Sequence, residues 1–201
     1  MLIIEPVMLE GNYVVLRPPS TTDVFGLSQA AKDGEIWNNP YASFPHENDI
    51  SIFLQDLLKC SNSFLPFIIV DKRSDTIVGT TRYFNIDYEN HRMEIGHTWI
   101  AKSYRRTAVN TEVKFLMLRY AFEKLKCIAI EIRTDVLNNV SRKAIERLGA
   151  KEDGILRNHK IMRNGRIRDT VCYSIIESEW PLVKENLLQK MIHYDNTIQV
   201  K

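Results

Sequence analysis

A carboxylate, a hydroxyl and a pair of arginines stand out in this sequence because each falls on, or opens, an element with an apolar face. Glu94 alternates with Met93 and Ile95 in 91-HRMEIGHTWI-100, a run with the two-residue period of a strand. A carboxylate on a central strand is costly unless it is paired, solvated or used. Glu94 is therefore either half of an ion pair with Arg82 or Arg92, or a proton acceptor. His97, further along the run, either shares in proton transfer or only shapes a pocket. Ser141 shares a helical face with Ala144 or Ile145 and with Leu148, so its hydroxyl points inward. The ordinary role of such a hydroxyl is a bond to the carbonyl four residues back. Arg105-Arg106-Thr107 opens the long apolar segment 102-KSYRRTAVNTEVKFLMLRYAFEKL-125. The first N–H groups of a helix and the positive end of its dipole form an anion site there, which adjacent arginines reinforce. The simpler alternative is a helix capped by Thr107 or Asn110 with both arginines solvated.

The elements that would position these groups follow from periodicity and turn residues. NYVVLR at 12–17 reads as a strand ended by Pro18 and Pro19, with N-cap candidates from Ser20 to Asp23 for a helix carrying Val24, Leu27 and Ala31. An aromatic, proline-broken loop, 35–48, precedes a second helix over about 48–60. Its Trp37, Tyr41, Phe44 and His46 either line a pocket or pack on the core. Strands at 64–71, 76–86 and 91–100 are joined by short polar turns and should be antiparallel neighbours. After the long helix come a strand at 128–134, a helix at 139–148 stopped by Gly149, and two strands flanking Asn164-Gly165, a strong hairpin signal. That hairpin carries Arg157, Lys160, Arg163, Arg166 and Arg168 with no acidic residue in 157–168. These cations either guard an exposed edge or bind an acidic partner. The tail beyond Trp180 offers Leu182, Val183, Leu187 and Leu188 to the core or to a second subunit.

The order β-α-α-β-β-β-α-β-α-β-β predicts a mixed α/β (α+β) fold. It comprises a mostly antiparallel twisted sheet of about seven strands, four helices and a central β-α-β crossover. With 201 residues, 44% hydrophobic and 26% charged, one domain over 1–201 is expected, its core at about 10–180 and a C-terminal helix or tail over 181–201. The N-terminal segment lacks a basic n-region and any run near ~18 apolar residues, which argues against a signal peptide or membrane span. Cys60, Cys127 and Cys172 are an odd number without metal-ligand spacing, favouring a reducing cytoplasmic setting. A net charge of +2 does not by itself argue for nucleic acid.

The run Arg105-Arg106-Thr107-Ala108-Val109-Asn110 resembles the acyl-CoA-binding loop of the GNAT acetyltransferase superfamily, with both glycine positions of that motif replaced. Thr107-Ala-Val-Asn110-Thr111-Glu112-Val-Lys114 is similar to its RimJ/RimL-like branch. So are Leu16-Arg17-Pro18 with Asp23, Glu94-Ile95-Gly96 ending in Trp99, the helix 138-NNVSRKAIERLGA-150, and 168-RDTVCYSI-175. The resemblance covers residues 10 to about 180. It implies an N-acetyltransferase using acetyl-CoA as acyl-donor cosubstrate, with no metal. The backbone of Trp99 and Ile100 would hold the pantetheine and the amides of 106–111 the pyrophosphate. Asn138 would be an N-cap or a pantetheine ligand. Glu94 would act as general base through water, Ser141 would assist the departing thiolate, and a backbone N–H near the end of the 91–100 strand would hold the oxyanion. Trp37, Tyr41 and His97 would meet the acceptor, a protein N-terminus or a small molecule. Ribosome contact is compatible with this reading and a specific nucleic acid is not expected; the protein would be a monomer or homodimer. Two alternatives stay open: a polyamine or other small-molecule acetyltransferase, and a non-catalytic acyl-CoA-binding regulatory module.

Overall fold

The computed structural model describes residues 4–59 and 63–199, with the side chains of His193 and residues 195–199 excepted; Cys60 lies outside the described residues. Strands β1 (Leu9–Glu10), β2 (Val14–Arg17), β3 (Phe64–Asp71), β4 (Thr76–Asp87), β5 (Arg92–Ile100), β6 (Ala129–Asp135), β7 (Lys151–Ile161) and β8 (Ile167–Ile176) form one sheet in the order β1-β2-β3-β4-β5-β6-β8-β7. The strand beyond the seven expected is β1, too short to show an alternating pattern, which pairs Leu9 with Leu16. Every pairing is antiparallel except β5–β6, which the crossover helix makes parallel.

Helices α1 (Val24–Lys32) and α2 (Ile50–Leu58) cover one face, packing on Ile68, Val70 and Trp99. On the other face lie α3 (Ala108–Arg119), α4 (Asn139–Leu148) and α5 (Trp180–Gln199), with a core that includes Phe67, Tyr83, Ile95, Val113 and Met117. The tail is thus a fifth helix: Val183 and Leu187 join this core, whereas Leu182 and Leu188 stay exposed. α3 continues as a π turn over Tyr120–Lys124, where the N–H of Leu125 donates to the carbonyl of Tyr120.

Local chemistry fixes the helix starts. Ser20 and Asp23 form a capping box before α1, and Asp23 also takes a two-pronged ion pair from Arg17 at 2.7 and 2.9 Å. Gly149 ends α4 with φ 105°, a conformation that only glycine adopts without strain. No helix among the described residues is long and apolar enough to cross a membrane.

Candidate active site

The centre of the sheet opens where its parallel pair separates. β5 pairs with β6 only from Arg92 to Glu94, opposite Ala129 to Glu131, and its β6-facing edge beyond Glu94 has no strand partner among the described residues. On its other edge β5 stays paired with β4 through Ile100. That ladder contains a bulge: Gly96 opposes Arg82 and Trp99 opposes Thr80, so His97 and Thr98 together face Thr81. His97 takes up the extra residue with φ 49°. A bulge bends its strand and leaves a ladder group unpaired, which re-aims the backbone toward the opening.

Glu94 sits at the base of this opening and is only 5% exposed. Its carboxylate accepts a hydrogen bond from Asn85 Nδ2 at 2.9 Å and lies 3.5 Å from Arg133 Nε. Neither expected ion-pair partner is used: Arg92 binds Glu131 at 2.7 Å, and the Arg82 guanidinium carbon lies 5.5 and 5.6 Å from the ring centroids of Phe64 and Phe84. Arg133, on the far side of the splay, was hidden in a strand whose spatial neighbour depends on the crossover. Burial raises the Glu94 pKa above the ordinary carboxylate value, against the opposing pull of Asn85 and Arg133. His97 meets Phe84 edge-on at 4.9 Å. Its pKa falls to about 4 through burial of the ring and the charges of Arg82, Lys160 and Arg168. By surface accessibility His97 is exposed, so burial counts for less than the three nearby cations, and the direction alone carries the argument: a pKa below the ordinary 6.5 leaves the imidazole neutral at pH 7.

At the far end of β5 the chain makes a single turn, Lys102–Tyr104, pinned to the end of α1. The N–H groups of Lys102 and Ser103 donate to the backbone carbonyl and carboxylate of Asp33 at 2.8 and 3.0 Å. Arg105 Nε donates to the Ile100 carbonyl at 2.9 Å. Arg106 has φ 62°, and Thr107 caps α3 by accepting from the Val109 N–H at 3.3 Å. Ala108 and Asn110, the two glycine replacements, lie in the first turn of α3 in the right-handed region, where glycine has no conformational advantage. Ala108, Val109 and Thr111 are buried and can offer a ligand only backbone, as can Trp99 and Ile100; Arg105 and Arg106 are exposed.

Asn138 caps α4 by accepting from the Ser141 N–H at 3.0 Å. Ser141 is half-buried rather than inward-facing, and among the described residues its hydroxyl has no hydrogen-bond partner, so the carbonyl four residues back is not used. Trp37 packs against His46 in a tilted ring pair with centroids 4.4 Å apart, which anchors the loop between α1 and α2. Tyr41 is half-buried in that loop and lies within electrostatic reach of Arg166 on the β7–β8 hairpin. Arg166 in turn pairs with buried Asp135 at the end of β6, tying the hairpin across the splay. A broad concavity of about 940 Å³ lies instead on β7, lined by residues such as Leu156 and His159, and holds none of the expected catalytic groups.

Two charged groups on α3 entered the sequence reading only as members of the family-like run Thr107–Lys114, with no role assigned to either. Lys114 is 6% exposed, and its ammonium donates to Thr98 Oγ1 on the bulge at 2.9 Å. Burial lowers its pKa to about 7. Glu112, also buried, accepts the backbone N–H groups of Asn12, Tyr13 and Val14 at 2.7 to 2.8 Å. The available signal was the presence of two charges in a helix apolar around most of its circumference.

A splayed central strand pair, a bulge beside it and a helix start at its end define an acyltransferase-type architecture, and comparison gives it a family. The family model described as an acetyltransferase (GNAT) domain matches residues 14–151, so the chain belongs to the GNAT acetyltransferases. It is 34% identical over 105 residues to YdaF of Bacillus subtilis (strain 168), provisionally named a ribosomal N-acetyltransferase. That match spans 52% of this chain and 56% of the length of YdaF. A GCN5-related N-acetyltransferase from Brucella melitensis superposes with a TM-score of 0.81 at 29% identity, covering 92% of this chain and 86% of the other. RimJ of Mycobacterium smegmatis in complex with CoA-disulfide has the same fold, with a TM-score of 0.77 at 20% identity over 92% of this chain and 93% of its own.

Proposed function

We propose that the protein is an acetyl-CoA-dependent N-acetyltransferase acting on a primary amine, in particular the N-terminal α-amine of a protein or peptide. One observation carries this reading: a buried carboxylate of raised pKa, Glu94, lies on a bulged strand whose edge is open from Ile95 onward and which leads through a short turn to a helix N-terminus.

These residues fit the donor. The open β5 edge offers main-chain groups to an extended pantetheine, as an added strand would. The first amides of α3, flanked by Arg105 and Arg106, suit a pyrophosphate. When bound, the donor supplies an acetyl thioester. Glu94 then accepts the amine proton through water, the backbone at the His97 bulge faces the developing negative charge, and the Ser141 hydroxyl, with no partner of its own, donates to the departing sulfur. An α-amine, with a pKa of ~7.7 to 8.0, is roughly a tenth to a fifth neutral at pH 7, whereas a lysine amine at ~10.4 is neutral in below about one molecule in a thousand. A single water-relayed carboxylate is adequate for the first. The relationship to YdaF supports a ribosomal protein as the amine's source and the cytoplasm as the setting.

The test is titration of the protein with acetyl-CoA beside a thiol-release assay over N-terminal peptides, lysine peptides and polyamines. Binding with turnover confined to peptide α-amines supports the proposal. Turnover confined to polyamines would transfer the assignment to a small-molecule enzyme, binding without turnover to a regulatory module, and no binding would refute acetyl-CoA as donor.

A further inference from the structure

The face of the sheet that holds Glu94 also collects positive charge without matching negative charge. Each nearby carboxylate has a cationic partner: Glu94 faces Arg133, Glu131 binds Arg92 and Arg133, and Asp135 binds Arg166. Arg82, Lys160 and Arg168 remain, and among the described residues none of them makes an ion pair or a hydrogen bond through its side chain.

The three belong to one site. All act electrostatically on the His97 ring, and Lys160 pairs directly with Arg168 across the β7–β8 hairpin. Lys160 acts on Glu94, and Glu94 on Arg82 and Arg168. The two arginines are not loose surface chains. Arg82 opposes Gly96 on β5, its guanidinium lies within cation–π reach of the Phe64 and Phe84 rings, and the Nε atoms of both Arg82 and Arg168 are buried without a partner. A buried guanidinium N–H left unpaired costs free energy that an anion would recover. A planar fork restricted by two aromatic neighbours also loses less freedom on binding a carboxylate. The donor's phosphates have their own cations in Arg105 and Arg106, at the other end of β5.

We infer that Arg82 and Arg168, with Lys160 at the rim, bind a carboxylate of the acceptor, so that the site selects amines bearing an acidic group close to the reacting nitrogen. This rests on the acetyltransferase reading for the identity of the amine, while the anion site itself is open to a binding measurement that needs no turnover. The chemistry is shared by two sources, a peptide with acidic residues next to its N-terminus and a free amino dicarboxylate.

The probes are two hexapeptides with the same free N-terminal serine, one with aspartate and glutamate at its second and third positions, the other with asparagine and glutamine. Titration calorimetry of the full chain at low salt should give about tenfold or more tighter binding of the acidic peptide, a difference that shrinks as salt is added. Arg82→Gln and Arg168→Gln should each lower affinity for the acidic peptide about tenfold, leave the neutral peptide unaffected, and leave the acetyl-CoA titration, which reports that the variants are folded, unchanged. Free glutamate binding more tightly than the acidic peptide, with the same dependence on both arginines, would uphold the carboxylate site and assign it to small acceptors. Equal affinity for the two peptides, or equal losses for both in the variants, would overturn the inference. Arginine-dependent binding of the acidic peptide by a protein that fails to bind acetyl-CoA would instead refute the acetyltransferase reading and leave the anion site standing.

Discussion

The ammonium of Lys114 donates to the hydroxyl of Thr98 at 2.9 Å, and among the described residues no carboxylate joins them. Thr98 lies in turn 2.8 Å from the hydroxyl of Thr81, the residue opposite the β5 bulge. A cation is thus held under the bulge by hydroxyls alone, and burial lowers its pKa from the ordinary 10.5 to about 7.

This arrangement sets a pH dependence of stability. Because the folded-state pKa is below the unfolded one, the unfolded chain holds the Lys114 proton more tightly between about pH 7 and 10.5. The penalty is therefore fully present below pH 7 and is relieved as pH rises through that window. Lys114→Met keeps the volume and removes the charge. It is expected to be more stable than the parent at pH 6 by roughly 1–3 kcal/mol, with the difference shrinking toward pH 10. Urea denaturation of both proteins across that range would test this, and a gap independent of pH would exclude the buried cation as its cause.

Glu112 has the opposite role. Its carboxylate holds the start of β2 to α3 through the backbone N–H groups of Asn12, Tyr13 and Val14. Gly11 is required beside it, since a Cβ there would come within 2.3 Å of Glu112 Cδ. Glu112→Ala leaves those N–H groups without their acceptor and should cost roughly 3 kcal/mol or more. A denaturation midpoint within error of the parent would mean that the contact contributes nothing to stability.

The contrast between these two residues indicates where the sequence is readable. The long strands, the helix ended by Gly149 and the antiparallel run β3-β4-β5 follow from period and punctuation, which are local properties. The partner of Glu94 did not: Arg133 lies on β6, and only the crossover brings it beside β5. Lys114 and Glu112 were obscured for a related reason, because the polar atoms that make their burial tolerable come from distant strands. The short β1 and the core-facing side of α5 likewise depend on contacts that local pattern does not encode.

As the proposed base, Glu94 should set the acid limb of a pH–rate profile. A base must be ionised to accept a proton, and burial raises the Glu94 pKa, so turnover at subsaturating acceptor should fall with acidification through a pKa above the ordinary value of 4.5. Glu94→Gln should lower kcat roughly 10²- to 10⁴-fold, abolish that limb, and leave acetyl-CoA affinity within about twofold. An unchanged profile would remove Glu94 from proton transfer and return it to a structural pairing with Asn85 and Arg133.

The turn before α3 decides what its missing glycines mean. The residue with positive φ is Arg106, whereas Ala108 and Asn110 are already helical, so glycine at either position would relieve no backbone strain. Glycine within a first helical turn instead raises the entropy lost on folding, by about 0.5–1 kcal/mol relative to alanine. The buried side chain of Ala108 also shows that its Cβ is accommodated by the protein rather than projecting over the anion site. The double variant Ala108→Gly, Asn110→Gly, which restores the family's usual glycines, is therefore expected to melt a few degrees lower and to bind acetyl-CoA no more tightly than the parent. A gain of tenfold or more in affinity, read by titration calorimetry, would mean that these side chains obstruct the phosphates after all and that the turn as built is a weakened cofactor site.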